Sequence, residues 1–209
     1  MDKQYVIFDM DGTLVDSMRY WKQLAGEFLT LKGVAEIPAD LLERIKPMTM
    51  TESSALFIRE FGLQGTPETV AAEMNGMMDR HYRNDIPLKK GIRELLEQLH
   101  DAGTTMCVAS ATAESLMSAC LTRLGVRSYF QFLLSCEEVG AGKNQPDVYF
   151  EAARRLGCTP GEAAVYEDAL YAAETARKAG FYTVGVYDES SAAHWERLTA
   201  TADETLRME

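Results

Sequence analysis

Short apolar stretches alternate with helical stretches along most of this chain, and that alternation limits the folds that it can adopt. From residue 87 onward, each apolar stretch is followed by a segment whose apolar residues recur at helical spacing. Strands that alternate with helices pair in parallel, because each helix carries the chain back across the sheet. We therefore predict an α/β fold with a doubly wound parallel sheet. The five predicted strands are residues 4–8, 104–109, 130–134, 163–166 and 182–186.

The alternation is interrupted once, directly after the first strand. Between about residues 16 and 86, apolar residues recur at helical spacing and nothing is typical of a strand. We predict four helices there, and two of them begin at Pro38 and Pro67, since proline suits the first turn of a helix. This pattern predicts two domains. Residues 1–15 and 87–209 would form a Rossmann-like core, and residues 16–86, the helical insert, would form a cap domain.

The charge balance argues against two classes of partner. The chain has 21 Lys and Arg against 32 Asp and Glu, which gives a net charge of −11. Such a surface repels nucleic-acid backbones and anionic membranes, and the sequence has no basic stripe that would compensate. We expect neither partner, and we expect a monomer.

The cysteines and the N-terminal residues bear on the compartment. The four cysteines are too far apart to form a C-x-x-C pair, which favours free thiols in a reducing compartment. The first residues do not resemble a signal peptide, and no run of about 20 apolar residues occurs. We therefore expect a cytoplasmic protein.

Polar side chains follow the predicted strands at the edge where parallel sheets bind ligands. The carboxylates among them can attack phosphorus, transfer protons and bind a divalent cation such as Mg²⁺. Lys143, on a glycine-flanked loop, can offset their charge and hold a phosphoryl group. Alternatives stay open for single residues, because Asp11-Gly12 also suits a turn and Asp168 also suits a helix start. These strand-end residues are Asp9, Asp11, Ser110, Lys143, Glu167 and Asp168.

Four motifs at these positions resemble those of the haloacid dehalogenase (HAD) superfamily. They are FDMDGTLVDS at residues 8–17, VASAT at 108–112, Lys143 with PDVY at 146–149, and VYED at 165–168. The chain is most similar to the subfamily with a small helical cap after the first strand, which contains β-phosphoglucomutase and phosphatases of sugar phosphates and phosphoglycolate. The resemblance implies a Mg²⁺-dependent phosphatase that hydrolyses a small phosphomonoester, a sugar phosphate or similar metabolite, through an aspartyl-phosphate.

The resemblance also implies the roles of individual residues. Asp9 would be the nucleophile and Asp11 the general acid and base. Mg²⁺ would be held by Asp9, the backbone carbonyl of Asp11 and Asp168, with Glu167 in support. Because dehalogenases of the superfamily lack the second aspartate, Asp11 points to phosphoryl transfer.

Further positions would bind the phosphoryl group and the rest of the substrate. Ser110, Ala111 and Lys143 match the phosphate-binding positions of the family. Within the helical insert, the residues that we expect to contact substrate include Trp21, Lys46 and Thr49.

Two residues depart from the family pattern in the fourth motif. Relatives have Ser where this chain has Ala169, and Gly where it has Ala172, at a place where we expect a loop to turn. These departures leave open a non-catalytic binding protein on the same fold. A phosphosugar mutase is a second alternative, although the loop at residues 46–51 lacks the arginine that such mutases carry. A receiver domain, also phosphorylated on aspartate, would not need the helical insert.

Overall fold

The computed structural model describes residues 3–208 of the chain. The strands are β1 (Tyr5–Phe8), β2 (Thr105–Ser110), β3 (Phe130–Ser135), β4 (Ala163–Glu167), β5 (Tyr182–Val186) and β6 (Glu204–Leu206). The helices are α1 (Met18–Leu31), α2 (Leu41–Ile45), α3 (Met50–Phe61), α4 (Pro67–Asn84), α5 (Ile92–Asp101), α6 (Glu114–Arg123), α7 (Cys136–Val139), α8 (Asp147–Leu156), α9 (Leu170–Lys178) and α10 (Trp195–Thr201).

The strands form one parallel sheet in the order β3-β2-β1-β4-β5-β6. The order reverses at β1, which lies between β2 and β4, with Tyr5 opposite both Thr105 and Ala163. The predicted doubly wound α/β fold is therefore confirmed, and all five predicted strands form. The strand β6 was not predicted, because this three-residue edge strand is mostly exposed and has no apolar run.

All four helices predicted among residues 16–86 form, and no strand occurs there. The start predicted at Pro38 is wrong, because its carbonyl accepts from the Leu41 amide at 3.1 Å in a turn and α2 begins at Leu41. Their buried apolar faces pack together, and Phe28 and Phe57 are almost fully enclosed. Thr49 and Thr66 start α3 and α4 with reciprocal capping boxes, which satisfy backbone donors that a helix start leaves free. The predicted domain boundaries stay a prediction, and residues 1, 2 and 209 of that prediction lie outside the described residues.

The chain crosses between the sheet and the helical insert twice, and the two crossings run side by side. The Asp16 amide donates to the Pro87 carbonyl at 3.0 Å, and the Lys89 amide donates to the Leu14 carbonyl at 3.0 Å. These hydrogen bonds hold the two connections together directly beyond the carboxyl end of β1.

Two helical predictions near the sheet need correction. The helix α7 was not predicted, because four residues are too few for a helical period. The sequence pattern predicts a last helix over residues 191–198, but α10 spans Trp195–Thr201 and a 3₁₀ segment, Glu189–His194, precedes it. The Asp188 side chain accepts from the Ser190 amide at 2.9 Å, which starts the tighter turn first. Among the described residues, none of the helices has the length and apolar character needed to cross a membrane.

Candidate active site

The loop after β1 brings Asp9 and Asp11 to the carboxyl edge of the sheet. The Asp9 amide donates to the Tyr166 carbonyl at 3.0 Å, which extends the pairing of β1 with β4. Gly12 then turns the backbone at φ +84°, and a Cβ there would lie 2.7 Å from Asp168 Oδ2. Glycine is therefore required for two reasons, the left-handed backbone and the close approach of the Asp168 carboxylate.

Lys143 lies at the centre of the buried charges. Its ammonium donates to Asp9 Oδ1 and, at 2.6 Å, to Glu167 Oε1. Burial opposes the positive charge, but Asp9 and Glu167 outweigh it and raise the pKa of Lys143 above its ordinary value. Tyr149 also donates to Glu167 Oε1, at 2.7 Å. The lysine is thus held as a cation against the Asp9 carboxylate.

Three buried carboxylates meet at this edge. Oxygens of Asp9, Glu167 and Asp168 lie within 4.8 Å of one another. Burial and the Asp9 charge raise the pKa of Asp168 to about 7, although Lys46 and Lys89 act against the increase. Burial likewise raises the pKa of Asp9, against the opposing charge of Lys143. A set of hard oxygen ligands with excess negative charge fits Mg²⁺, which the sequence predicted at these residues.

The Asp11 side chain accepts three hydrogen bonds from hydroxyl groups. Ser17 donates to Oδ1 at 2.5 Å, Tyr82 donates to Oδ1 at 2.6 Å, and Thr112 donates to Oδ2 at 2.5 Å. No role was predicted for these three residues. Ser17 and Thr112 lie inside the quoted motifs and could have been considered, but nothing in the sequence relates Tyr82 to Asp11.

Ser110 and Ala111 lie where phosphate-binding groups were predicted. Both line the cavity above the carboxylates, at the carboxyl end of β2. The Ser110 hydroxyl is buried and accepts from the Thr112 amide at 3.2 Å. Because the hydroxyl oxygen is the acceptor in this bond, the hydroxyl proton can be donated to an acceptor inside the cavity.

Two residues that follow β5, Asp188 and Ser191, connect the site to two lysines from earlier in the chain. Ser191 donates to Asp168 Oδ2 at 3.2 Å, and Lys46 of the helical insert donates to the Ser191 hydroxyl at 3.4 Å. Lys89 donates to the Gly12 carbonyl at 2.7 Å and to Asp188 Oδ2 at 2.7 Å. Lys89 therefore fixes the turn that carries Asp11, a role that the sequence analysis did not assign.

The departures at Ala169 and Ala172 have different positions in the structure. Ala169 precedes α9, is nearly buried and lines the cavity. The expectation of a loop at Ala172 is wrong, because Ala172 lies inside α9 and its amide donates to the Ala169 carbonyl at 3.1 Å. A helical, fully buried position suits alanine.

A cavity of about 320 Å³ separates the sheet edge from the helical insert. Of the insert residues predicted to contact substrate, Trp21 and Lys46 line this cavity. Thr49 is buried and its hydroxyl accepts from the Glu52 amide at 3.1 Å, so it caps α3 rather than lining the cavity. Trp21 donates from Nε1 to the Tyr82 hydroxyl at 2.8 Å, and this bond joins α1 to the group that contacts Asp11.

The sequence matches the family model described as haloacid dehalogenase-like hydrolase over residues 6–186. The phosphorylated carbohydrates phosphatase of Thermotoga maritima is 26% identical over 180 residues, which cover 84% of this chain and 81% of the relative. The β-phosphoglucomutase of Bacillus subtilis is 31% identical over 194 residues, which cover 87% and 82%. The fructose-1-phosphate phosphatase YqaB of Escherichia coli is 26% identical over 187 residues, which cover 87% and 95%.

Solved structures show the same fold. A variant of CbbY from Rhodobacter sphaeroides, in complex with xylulose-(1,5)bisphosphate, superposes with a TM-score of 0.82 at 23% identity. The match covers 98% of this chain and 93% of that one. A putative haloacid dehalogenase-like hydrolase from Bacteroides fragilis superposes with a TM-score of 0.80 at 22% identity, over 99% of this chain and 97% of that one.

Proposed function

The chain belongs to the haloacid dehalogenase-like hydrolase family, and from that premise we propose that it is a Mg²⁺-dependent phosphatase of a small phosphomonoester. The observation that carries the proposal is the contact of Lys143 with Asp9, while Asp11 lines the same cavity two residues away. A carboxylate that is paired with a buried lysine suits a nucleophile, and a second carboxylate nearby suits the proton transfers. Together they suit covalent catalysis followed by hydrolysis. The names of the relatives, several of them phosphatases, support the same reaction.

Asp9 is the proposed nucleophile. One of its carboxylate oxygens forms a bond to phosphorus while the bond from phosphorus to the alcohol oxygen breaks, which leaves an aspartyl-phosphate. Asp11 gives a proton to the departing oxygen. It then accepts a proton from the water whose oxygen bonds to phosphorus, while the bond from phosphorus to Asp9 breaks and inorganic phosphate leaves. The Ser17, Tyr82 and Thr112 hydroxyls orient Asp11 for both transfers.

Lys143, Ser110 and the backbone at Ala111 are the proposed phosphoryl-binding groups. Lys143 carries a buried positive charge beside Asp9, and it would offset negative charge on the phosphoryl oxygens as they approach the carboxylate. Ser110 would donate its hydroxyl proton to a phosphoryl oxygen. These groups also fix the direction of attack, because they hold the phosphorus in line with Asp9.

Mg²⁺ is the proposed cofactor. Asp9, Asp168 and the backbone carbonyl of Asp11 would hold it, and Glu167 would support the site through Lys143 and Tyr149. The bound ion would neutralise charge between the carboxylates and the phosphate.

The substrate proposal rests on the helical insert and on the relatives. We propose that residues 16–86 act as a cap domain that closes over a sugar phosphate or a metabolite of similar size, and excludes water. Trp21 and Lys46 are proposed to contact the substrate because both line the cavity. The relatives named for phosphorylated carbohydrates and fructose 1-phosphate support this size.

A phosphosugar mutase is the second candidate, favoured by the 31% identity to β-phosphoglucomutase. A mutase must hold a second phosphate while the sugar turns. Met50 lines the cavity on the insert side, and it offers no positive charge for that phosphate. Conversion of β-glucose 1-phosphate to glucose 6-phosphate, primed with glucose 1,6-bisphosphate, would support the mutase.

The test of the phosphatase is release of phosphate from a panel of phosphomonoesters, with Mg²⁺ and with a chelator. Asp9→Asn keeps the shape of the side chain but removes its charge, so it should abolish release and leave the fold intact. Asp101→Asn, at the exposed end of α5, is the matched control and should behave like the wild type. Wild-type turnover by Asp9→Asn would refute the nucleophile assignment.

A further inference from the structure

The wall of the cavity that faces the carboxylates is apolar. It is formed by side chains of the helical insert, which meet the sheet edge across a space of about 320 Å³. This apolar wall consists of Leu24, Leu42, Ile45, Met48, Met50 and Met74. A substrate whose phosphate binds at the sheet edge must place its alcohol portion against these residues.

The polar groups that share the insert side of the cavity are already hydrogen-bonded or lie at its rim. The indole N–H of Trp21 is used by the Tyr82 hydroxyl at 2.8 Å. Ser53 is buried and donates to the Thr49 carbonyl at 3.0 Å. Lys22 and Glu43 are exposed, so they are at the mouth. Hydroxyl groups buried deep against the apolar wall would therefore lose water without gaining partners.

The positive charges of the cavity lie near the site of the reacting phosphate or at the rim. Lys143 contacts Asp9 and Glu167, and Lys46 donates to Ser191, which itself contacts Asp168. Among the described residues that line the cavity, Lys143 is the buried cation, and it is already paired with Asp9 and Glu167. A second phosphate against the apolar wall would therefore lie away from it. The cavity is thus built for one phosphate and an uncharged remainder.

We infer that the substrate is the monophosphate of a largely apolar alcohol, with few hydroxyl groups beyond the ester oxygen. The inference rests on the proposed function for the chemistry at Asp9. Of the two substrate classes proposed above, it selects a metabolite similar in size to a sugar phosphate rather than a sugar phosphate itself. The apolar wall supplies the selectivity. Burying C–H surface against it makes the binding free energy more favourable, and burying unpaired hydroxyl groups there makes it less favourable.

The test compares n-hexyl phosphate with sorbitol 6-phosphate. Both have six carbons and a primary phosphate ester, and they differ only in the five hydroxyl groups of sorbitol. We expect kcat/KM with Mg²⁺ to be at least about tenfold higher for hexyl phosphate, since unpaired hydroxyls weaken transition-state binding. An equal or higher kcat/KM for sorbitol 6-phosphate would overturn the inference and leave the phosphatase in place.

A pair of variants at one position ties the preference to the apolar wall. Met50 is only partly buried, so its replacement should not disrupt the fold. Met50→Gln has a similar length but adds an amide, and it should narrow the hexyl-to-sorbitol ratio severalfold. Met50→Leu stays apolar and should keep the wild-type ratio. Equal ratios in the wild type and Met50→Gln would overturn the role of the wall at this position.

A further outcome separates this inference from the function on which it rests. If p-nitrophenyl phosphate is hydrolysed with Mg²⁺ in the wild type but not in Asp9→Asn, the phosphatase stands and the ratio alone decides the inference. If n-hexyl phosphate, sorbitol 6-phosphate and p-nitrophenyl phosphate all resist hydrolysis, the proposed function fails and this inference fails with it.

Discussion

Tyr82 donates its phenolic proton to Asp11 Oδ1 at 2.6 Å, so the last helix of the insert directly contacts the proposed acid–base carboxylate. Burial and the neighbouring Asp11 charge raise the pKa of Tyr82 well above its ordinary value, and the phenol therefore stays protonated. Trp21 donates to the same hydroxyl from α1. The position of Asp11 thus depends on the position of the helical insert, which would link the proposed proton transfer to the proposed closure over the substrate.

We predict that Tyr82→Phe lowers kcat and leaves KM nearly unchanged. The phenyl ring keeps the packing, but Asp11 loses one of its three donors. A hydrogen bond to a charged group contributes about 1.5–3 kcal/mol, so we expect a loss of about 10- to 150-fold in kcat. Steady-state kinetics on the best phosphomonoester measure the change.

The control for Tyr82→Phe is Tyr182→Phe, which removes a tyrosine hydroxyl that contacts Glu204 at the edge of the sheet. This variant should keep the wild-type kcat. A change in KM alone for Tyr82→Phe would show that the residue binds substrate instead of positioning Asp11.

We predict that Asp11→Asn separates the two chemical steps. With alkyl phosphates, turnover should fall by about 10²–10⁴-fold, because the leaving oxygen receives no proton. The p-nitrophenolate group leaves without a proton, so p-nitrophenyl phosphate should give a rapid burst close to one product per enzyme. Stopped-flow absorbance detects the burst. A slow release without a burst would mean that Asp11 is needed for attack on phosphorus.

We predict that Gly142→Ala impairs turnover by holding the helical insert away from the sheet. A Cβ at Gly142 would lie 2.3 Å from the Pro47 carbonyl oxygen, where the insert meets the Lys143 loop. Overpacking of this kind costs about 1–3 kcal/mol, and because the closed state bears that cost, we expect a loss of about 5- to 150-fold in kcat/KM.

Gly161→Ala is the matched control for Gly142→Ala, because a Cβ at Gly161 would have open space around it. It should keep wild-type kinetics and a wild-type melting temperature. Unchanged kcat/KM in Gly142→Ala would show that this close approach is not needed in the catalytic state.

We predict that the metal-free protein loses stability as the pH rises from 6 to 8. Burial raises the pKa of Asp168 from 3.8 to about 7 and that of Glu167 from 4.5 to about 8. Between pH 6 and 8 the folded state therefore binds more protons than the unfolded state. The free energy of unfolding falls as the pH rises across this range. Thermal melts in a chelator measure this decrease.

Mg²⁺ should reverse the decrease, because it stabilises the ionised carboxylates. The rise in melting temperature on adding Mg²⁺ should be larger at pH 8 than at pH 6. Asp168→Asn removes one buried carboxylate, so it should weaken both the pH dependence and the Mg²⁺ effect. A metal-free protein that melts at a higher temperature at pH 8 would contradict the raised pKa values.

The sequence alone was sufficient for five of the six strands of the sheet and for the loop after β1. Apolar runs predicted β1 to β5, because strands buried on both faces need continuous apolar residues. The family motifs placed Asp9, Asp11, Lys143 and Asp168 at one edge, and the structure brings them together there. The strand predictions depend on residues close together in the sequence, where periodicity carries the information, whereas the site prediction rests on the order of strand ends and on the resemblance of the four motifs.

Only the tertiary structure decided the contacts between distant parts of the chain. Tyr82 lies 71 positions from Asp11 and 61 positions from Trp21, yet it contacts both. The expected turn at Ala172 became a helix, and Thr49 became a helix cap instead of a cavity residue. Helical periodicity tells which face of a helix is buried but not what that face meets. The packing of the insert against the sheet determined which side chains line the cavity, and with them the surface that a substrate would contact.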